Sequence, residues 1–394
     1  MSSKRTLRLF MMDLWATVPY YTAYLSRALR QEGVDVQVGS ITYYLDTECF
    51  SSRGLKLDPG LMDVVGRFPL PKLPRRLLKF PEAMLNLAAL TVRFAVRPPD
   101  AVHVQYLPML MWSVPLDLWF LEFCRSRGAK IVLTVHDLLP HDSGQRYRTT
   151  FVDLYARADA LICHSDSVKA RLAAEFGVPE AKISVIPHGP FFYDLPSAGA
   201  EEALAGLGLE GGKPMVLWQG IIFPYKGIDL LLAAWRQVEA RVPEAVLVIA
   251  GTGAPELLEQ IRRQISELGL TRVKTEFRFV STEELVALYR AADVVVYPYR
   301  AITTSGALAT GLALGKTIAA SDLPVFRELL TDGENALLTP PLDTDAMGKA
   351  LVRVLQDPVL RERLAERVRA MRFGDESWLR IAEQTRAVYA DLVG

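Results

Sequence analysis

The feature that most constrains this sequence is an alternation of strands and helices that runs, pauses once and starts again. In the first half the apolar runs TLRLFMMD, VDVQVGS, DAVHVQY, KIVLTVHD, ALICHS and KISVIP are separated by helical patterns at Tyr21–Glu32, Leu116–Arg127 and VKARLAAEF. Strands that alternate with helices form a parallel sheet covered on both faces. The rhythm stops at HGPFFYDLPSAGAEEALAGLGLEGGKP, residues 188–214, whose Gly, Pro and Ala content marks a linker. It resumes with MVLWQG, AVLVIAG, EFRFV, VVVYPY and KTIAAS as strands, helices between them, and a helical C-terminus.

Two Rossmann-like α/β domains in series follow from this pattern, at 1–190 and 214–375, with the linker at 191–213 and a last helix at 376–394 expected to pack back on the first domain. A chain of 394 residues suits two domains better than one core. The formal net charge is zero, which argues against a general nucleic-acid binder. The charge is unevenly spread, however: Arg53–Arg97 holds nine basic residues against three acidic ones. Cys49, Cys124 and Cys163 share no metal-like spacing and fit a reducing compartment as small buried residues. The apolar run after Lys4, Arg5 and Arg8 stops at Asp13, too short for a secretion signal. No stretch of about 18 uncharged apolar residues exists to span a membrane. The expected home is the cytoplasm, either free or peripheral on the cytoplasmic face of the inner membrane.

The stretch TTSGALATGLALGKT, Thr303–Thr317, ends in Gly-Lys-Thr and invites comparison with an ATP-binding phosphate loop. Three residues rather than four lie between Gly311 and Gly315. The order is also reversed. VVVYPY is a strand, Thr304 or Ser305 caps a helix and Gly315 ends it, so Gly315-Lys316 closes a helix where a phosphate loop opens one. Ser305-Gly306 carries more chemistry: a Gly in the first turn lets a ligand approach the N–H groups, where the helix dipole favours phosphate. A capped helix whose Gly merely packs closely is the other reading of these residues.

From the second domain onward the chain resembles the family 4 glycosyltransferases. WQGIIFPYKGIDLLLAAW is similar to the family's glycine followed by Lys-Gly-x-Asp and a helix, and VLVIAGTG resembles its strand ending in Gly-x-Gly. FVSTEELVALYRAADVVVYPY resembles the segment leading to the donor pocket, and ALGKTIAASDLPVFRELL the strand and turn beyond the pocket helix. IVLTVHDLLP, ADALICHSDSVKARL, KISVIPHG and DESWLRIAEQTRAVYADL extend the likeness over nearly the whole chain, weakest across residues 40–100. The resemblance implies an α/β GT-B fold, two facing Rossmann-like domains with parallel sheets and a reaction in the cleft between them. The implied reaction is sugar transfer from a nucleoside-diphosphate sugar to a saccharide or lipid-linked saccharide, with retained configuration, in bacterial polysaccharide or glycolipid assembly. Neither a metal nor a cofactor is expected; the nucleotide sugar is a substrate.

Carried over residue by residue, the resemblance implies a donor site on the second domain. Gly220 and Gly251 stand at strand ends, and Lys226 supplies a cation to the diphosphate. Thr304, Ser305, Gly306 and Ala307 offer donors at a helix N-terminus, with Thr310 beside the ribose. Val280 and Ser281 grip the base by main chain, and Leu285 packs near it. The chemistry agrees, because charge growing on the diphosphate needs fixed donors and a cation in a site sheltered from water. His136, after the strand IVLTV, matches the family histidine that faces the donor sugar, so His136 and Lys226 are the candidate catalytic residues. No pair among the five histidines has metal-binding spacing on a helix. Plainer readings stay open: a solvated loop lysine, a turn histidine, and a Gly251 that only turns the chain.

Two departures from the family pattern stand out. Ile221 holds a place where many members have Arg, and Ile302 and Thr310 stand where many carry two glutamates. Either TTSGAL supplies hydroxyl and backbone donors in their stead, or the chain is a catalytically silent donor-binding subunit. On the acceptor side, Tyr20, Tyr21 and Tyr24 begin a helix and suit either stacking on a sugar or lipid, or core packing. LPKLPRRLLKFPEAMLNLAALTVRF sets Arg75, Arg76 and Lys79 among Leu and Phe, a composition that suits contact of residues 70–97 with an anionic membrane, or a solvated loop leading into a core helix.

Overall fold

The computed structural model describes residues 6–68, 70–107, 109–110, 114–140, 145–194, 204–206, 208 and 212–394; the side chains of Lys72, Arg76 and Asp375 lie outside that description. The chain divides into two compact units, one of Met1–His188 with Trp378–Gly394, the other of Gly189–Ser377. Much of the linker expected at 191–213 falls outside the described residues.

The first unit holds a six-stranded parallel sheet: β1 (Arg8–Asp13), β2 (Asp35–Ser40), β3 (Ala101–Val104), β4 (Lys130–Thr134), β5 (Ala160–Cys163) and β6 (Ile183–Val185), in the order β2-β1-β3-β4-β5-β6. β1 lies beside both β2 and β3, with Leu9 opposite Val36 on one side and Ala101 on the other. Phe10, Met12, Val102, Val104 and Leu133 build one core, against helices that include Lys72–Val96 and Leu116–Ser126. The last helix, Asp375–Val393, belongs to this unit from Trp378 on: Trp378 stacks on Tyr24, with ring centroids 5.5 Å apart.

The second unit repeats the architecture with β7 (Met215–Gln219), β8 (Val246–Ala250), β9 (Val273–Glu276), β10 (Val294–Tyr297), β11 (Thr317–Ser321) and β12 (Ala336–Thr339), ordered β12-β11-β10-β7-β8-β9. Trp218, Ile249 and Val296 from its strands meet Leu231 and Trp235 of the Ile228–Arg241 helix. β7, β8, β10 and β11 are buried along almost their whole length, as strands covered on both faces must be.

Three elements differ from the sequence expectation. EFRFV is not a strand; β9 is Val273–Glu276, because its sole neighbour β8 ends at Ala250, paired with Glu276. Beyond that point no partner extends the ladder, and Arg278–Val280 runs on as loop. A helix at Arg148–Arg157, of weak amphipathic pattern, was not legible. Residues 72–96 form one continuous helix, Lys72–Val96, despite Pro81 within it. Its outward face is apolar: Leu73, Leu77, Leu85, Val92 and Val96 are all exposed. Two of its cations, Lys79 and Arg75, turn elsewhere. Lys79 donates to the Trp15 carbonyl at 2.8 Å, and Arg75 donates to the Leu70 carbonyl while its guanidinium lies 3.5 Å from the Tyr44 ring centre.

Candidate functional site

Strand order locates a crevice in the second unit. β7 and β10 are neighbours, yet the chain leaves β7 toward β8 and leaves β10 toward β11 on the opposite side. Loops that part at the carboxyl ends of such strands open the crevice in which doubly wound sheets bind ligands. Gly220 follows β7 and the Tyr299–Ser305 loop follows β10, so the two halves of the expected donor site come together here.

The β7 side is built by glycines. Gly220 and Gly251 have φ of +146° and +152°, values that side chains rarely adopt, and a Cβ on Gly251 would lie 1.8 Å from the Gly220 carbonyl oxygen. Pro224–Lys226 is a single 3-10 turn that closes in left-handed Gly227, from which the Ile228–Arg241 helix starts. This turn swings Lys226 back over β7. Its Nζ lies 2.8 Å from where a Gly220 Cβ would be and 5.9 Å from the ring centres of both Trp218 and Tyr299. The φ of Gly220 is what requires glycine there, and the ammonium lies over the space a Cβ would take.

Arg300, which sequence reasoning passed over, ties the two loops together. It forms a bidentate pair with Asp229 at 2.8 and 2.5 Å, and donates to the carbonyls of Pro224 and Tyr225. The pair holds the Asp229 carboxyl below its ordinary range, although burial pushes the other way. A signal was present: the Asp of Lys-Gly-x-Asp needed a partner, and the PYR sequence after β10 offered one. Gly227 completes the joint, as a Cβ there would sit 1.9 Å from the Pro298 carbonyl oxygen. Gly227→Ala is expected to cost about 3 kcal/mol, from left-handed strain plus displacement of that carbonyl. Denaturant unfolding with the probe on the second unit measures this; a loss below about 1 kcal/mol contradicts the packing described.

The β10 side is a capped helix on a tyrosine floor. The Ser305 hydroxyl accepts from the Leu308 N–H at 3.1 Å and begins the Gly306–Ala313 helix. Tyr297 donates to the Ala307 carbonyl at 2.7 Å, and the Tyr289 hydroxyl lies 3.2 Å from both that carbonyl and Gln219 Oε1. Tyr299 is hydrogen-bonded to Ser305, and burial raises the pKa of all three phenols. Thr304, Gly306 and Ala307 are partly exposed at the helix start. Thr310 corrects an expectation. It is 2% exposed, donates to the Gly306 carbonyl at 2.9 Å and accepts from the Phe191 N–H at 3.2 Å, so its hydroxyl serves the protein rather than a ribose.

Val280 and Leu285 are buried, which leaves main chain as the part of this segment that a base could meet. Ser281 and Glu284 form a capping box that opens the Thr282–Ala291 helix. Arg278 grips both Glu284 oxygens and, with the Ser281 N–H, takes the Glu284 pKa down to about 2. Lys316 settles the phosphate-loop question: its ammonium donates to the carbonyls of Arg290 and Ala292 and so caps that same helix.

In the first unit His136 follows β4. Its Nε2 lies 3.0 Å from Gln105 Oε1, which assigns the proton to Nε2 and makes Nδ1 the acceptor. Burial, helped by His164, His188 and His103, lowers its pKa well below the usual value, so the ring is neutral at pH 7. Tyr21 is 2% exposed, and its ring meets His136, His164, His188 and Trp378 with centroids 4.8–5.4 Å apart. The tyrosine read as an acceptor platform is thus a core support for the histidines. Tyr20 is partly exposed and donates to Asp46 at 3.0 Å. Arg75 lies over Tyr44, and Arg76 has its side chain outside the described residues. In place of a glycine-rich loop, the buried Asp13 carboxylate accepts the N–H groups of Thr17 and Val18 at 2.8 and 3.0 Å. Among the described residues no His, Cys, Asp and Glu side chains gather into a metal-holding group.

Comparison with known proteins bears on both units. Residues 18–189 match the family described as Glycosyltransferase Family 4, and residues 200–371 match Glycosyl transferases group 1. An uncharacterized glycosyltransferase of Methanocaldococcus jannaschii is 28% identical over 58% of this chain and 59% of its own. The phosphatidyl-myo-inositol mannosyltransferase of Mycolicibacterium smegmatis is 32% identical over 43% of each chain. The chain thus spans about half the length of these relatives. Anabaena HepE, in a crystal structure with UDP and glucose, is 17% identical and superposes with a TM-score of 0.73 over 97% of this chain and 99% of that one. Two six-stranded parallel units, matched in turn by these two glycosyltransferase family models over most of the chain, make it a glycosyltransferase of the family 4 type with the GT-B fold.

Proposed function

We propose that the protein transfers a sugar from a nucleoside-diphosphate sugar to a saccharide or lipid-linked saccharide, with retained configuration and without a metal ion, in bacterial polysaccharide or glycolipid assembly. The observation that carries this is the Lys226 ammonium folded over Gly220, at the switch point where the Gly306–Ala313 helix begins. A cation and a helix N-terminus at one crevice suit a diphosphate leaving group. His136, neutral with Nδ1 as acceptor, suits a sugar hydroxyl rather than a phosphate. The second reading, a silent donor-binding subunit, is favoured by one observation: the pocket helix carries no carboxylate, and Thr310 is engaged internally.

Thermal unfolding against UDP-, GDP-, ADP- and dTDP-sugars, each assayed for slow hydrolysis, separates the readings. A donor at 100 times its Kd stabilises by roughly 2.7 kcal/mol. Binding with cleavage supports the enzyme, binding without cleavage in the presence of acceptor lipids supports the silent subunit, and no binding refutes both.

Membrane contact belongs to the same proposal, through the apolar face of the Lys72–Val96 helix rather than its basic residues. The name of the Mycolicibacterium relative, a phosphatidyl-myo-inositol mannosyltransferase, supports a lipid-borne acceptor. Leu73, Leu77 and Leu85 changed together to Gln are expected to cut liposome binding about tenfold or more at any salt concentration, since each buried side chain contributes on the order of 1 kcal/mol. Unchanged binding in a flotation assay removes the membrane from the proposal.

A further inference from the structure

A cavity of about 470 Å³ opens at the far end of the first unit's sheet, where β1, β2 and β3 begin. Arg8 starts β1 and Asp35 starts β2, opposite each other in the ladder, and Pro98 and Pro99 lead into β3. In a parallel sheet the strand starts and the catalytic loops lie at opposite ends. β1 has six residues, which puts this cavity roughly 20 Å from Asp13. It is therefore separate from the chemistry around His136.

The lining is strongly cationic, with Arg8, Arg30, Lys56, Arg93 and Arg97 against Asp35 and Asp58. Two of these cations are neutralised: Arg93 by Asp58 at 2.8 and 2.5 Å, and Arg8 by Asp100 at 3.1 Å. Arg30 donates to the Val36 carbonyl at 2.8 Å and, like Arg93, closes the last turn of a helix. Helix-end duty explains those two. It does not explain Lys56, which stands in a loop. Among the described residues, neither Lys56 nor Arg97 has a carboxylate partner for its side chain. The apolar part of the floor that a ligand can reach is Leu57, Pro59, Pro98 and Pro99, with Leu9, Val36 and Phe94 buried beneath it. A volume of this size lies within the range of small-molecule sites, roughly 300–1,000 Å³.

We propose that this cavity binds a phosphorylated small molecule, its phosphate monoester held by Lys56, Arg97 and Arg30 and its carbon skeleton seated on the apolar floor. The phosphate belongs either to a free sugar phosphate or to a lipid headgroup. Both present a dianion that two unpaired cations and a guanidinium recognise.

The full chain is titrated calorimetrically with glucose 1-phosphate, and sedimented with phosphatidic acid vesicles against phosphatidylcholine vesicles. The Lys56→Glu/Arg97→Glu double variant is expected to bind the soluble probe about tenfold or more weakly, because opposed charges replace complementary ones. Its melting curve stays unchanged, since neither side chain has a charged partner to lose. Lys226→Ala, in the other unit, leaves this binding intact. Binding to phosphatidic acid vesicles alone, abolished by the double variant, upholds the pocket and identifies the phosphate as a headgroup. Binding to neither probe, or binding equally tight in the double variant, overturns the proposal.

Discussion

Lys226→Ala lowers kcat by about 10²–10³ with the assigned donor, the loss typical of removing one fixed charge-stabilising group from a reaction centre. The ammonium is held by position: the Pro224–Lys226 turn, the left-handed Gly227 and the Arg300–Asp229 clamp all place it before any ligand arrives. Preorganised charge acts most on the state in which charge is greatest, the departing diphosphate. The effect should therefore fall on kcat more than on KM. Lys226→Arg is expected to fail nearly as badly, because a planar guanidinium does not put its charge where the compact ammonium sits above Gly220. Stability should change by less than about 1 kcal/mol, since the Arg300–Asp229 pair still clamps the loop. Steady-state kinetics beside a melting curve decide the matter. A variant with unchanged kcat places Lys226 outside the chemistry, and a variant that fails to fold invalidates the account of the clamp.

The second large effect is on acid stability. His103 is buried between Tyr389 at 2.5 Å and Thr134 at 2.7 Å, and desolvation takes its pKa down to about 3. His164 is likewise lowered to about 4, and His136 well below its usual value, both chiefly by burial. All three rings are neutral when folded and would protonate near pH 6.5 when unfolded. The unfolded state then binds more protons than the native state below that pH. Stability is thus fully present above pH 6.5 and falls as pH drops toward the folded values. Each histidine contributes about 1.4 kcal/mol per pH unit, while buried Asp117 of the same unit, its carboxyl raised to about 7 by burial, opposes them by about 1.4. A net slope near ~3 kcal/mol per unit is therefore expected between pH 6 and 5. The loss belongs to the first unit. Urea unfolding at a series of pH values, followed by a probe in each unit, tests it; a slope of less than one proton in the first unit means that these rings are already charged or exposed.

The same histidines show where reading the sequence stopped. His136 was legible because it follows an apolar strand, VHD after IVLT, at the carboxyl end of a parallel sheet. Its support by Tyr21, His164 and His188 was not, since those residues are 28 or more positions away along the chain and meet only when β4, β5 and the first helix are assembled. Tyr21 looked like a platform because aromatic residues at a helix start read alike whether they face a ligand or a core. Lys79 misled in a similar way. Charge and spacing put it on a membrane-facing segment, and the fold turned it inward onto Trp15 beside Asp13. The loops around Gly220 and Ser305 were legible in more detail, because glycines with positive φ and an N-capping Ser are local requirements of the backbone.

Local chemistry therefore determined the succession of strands and helices, the pause near residue 190, the turn that presents Lys226 and the Ser305 cap. Each depends on residues within a few positions of one another, and nearest neighbours carry that information. Tertiary structure alone decided the strand order that puts β7 beside β10, the Arg300–Asp229 clamp, the internal use of Thr310 and the cationic cavity at the strand starts. Those features join residues 27 to 119 positions apart in most cases, and side chains so distant interact only after burial of the two cores has chosen their neighbours.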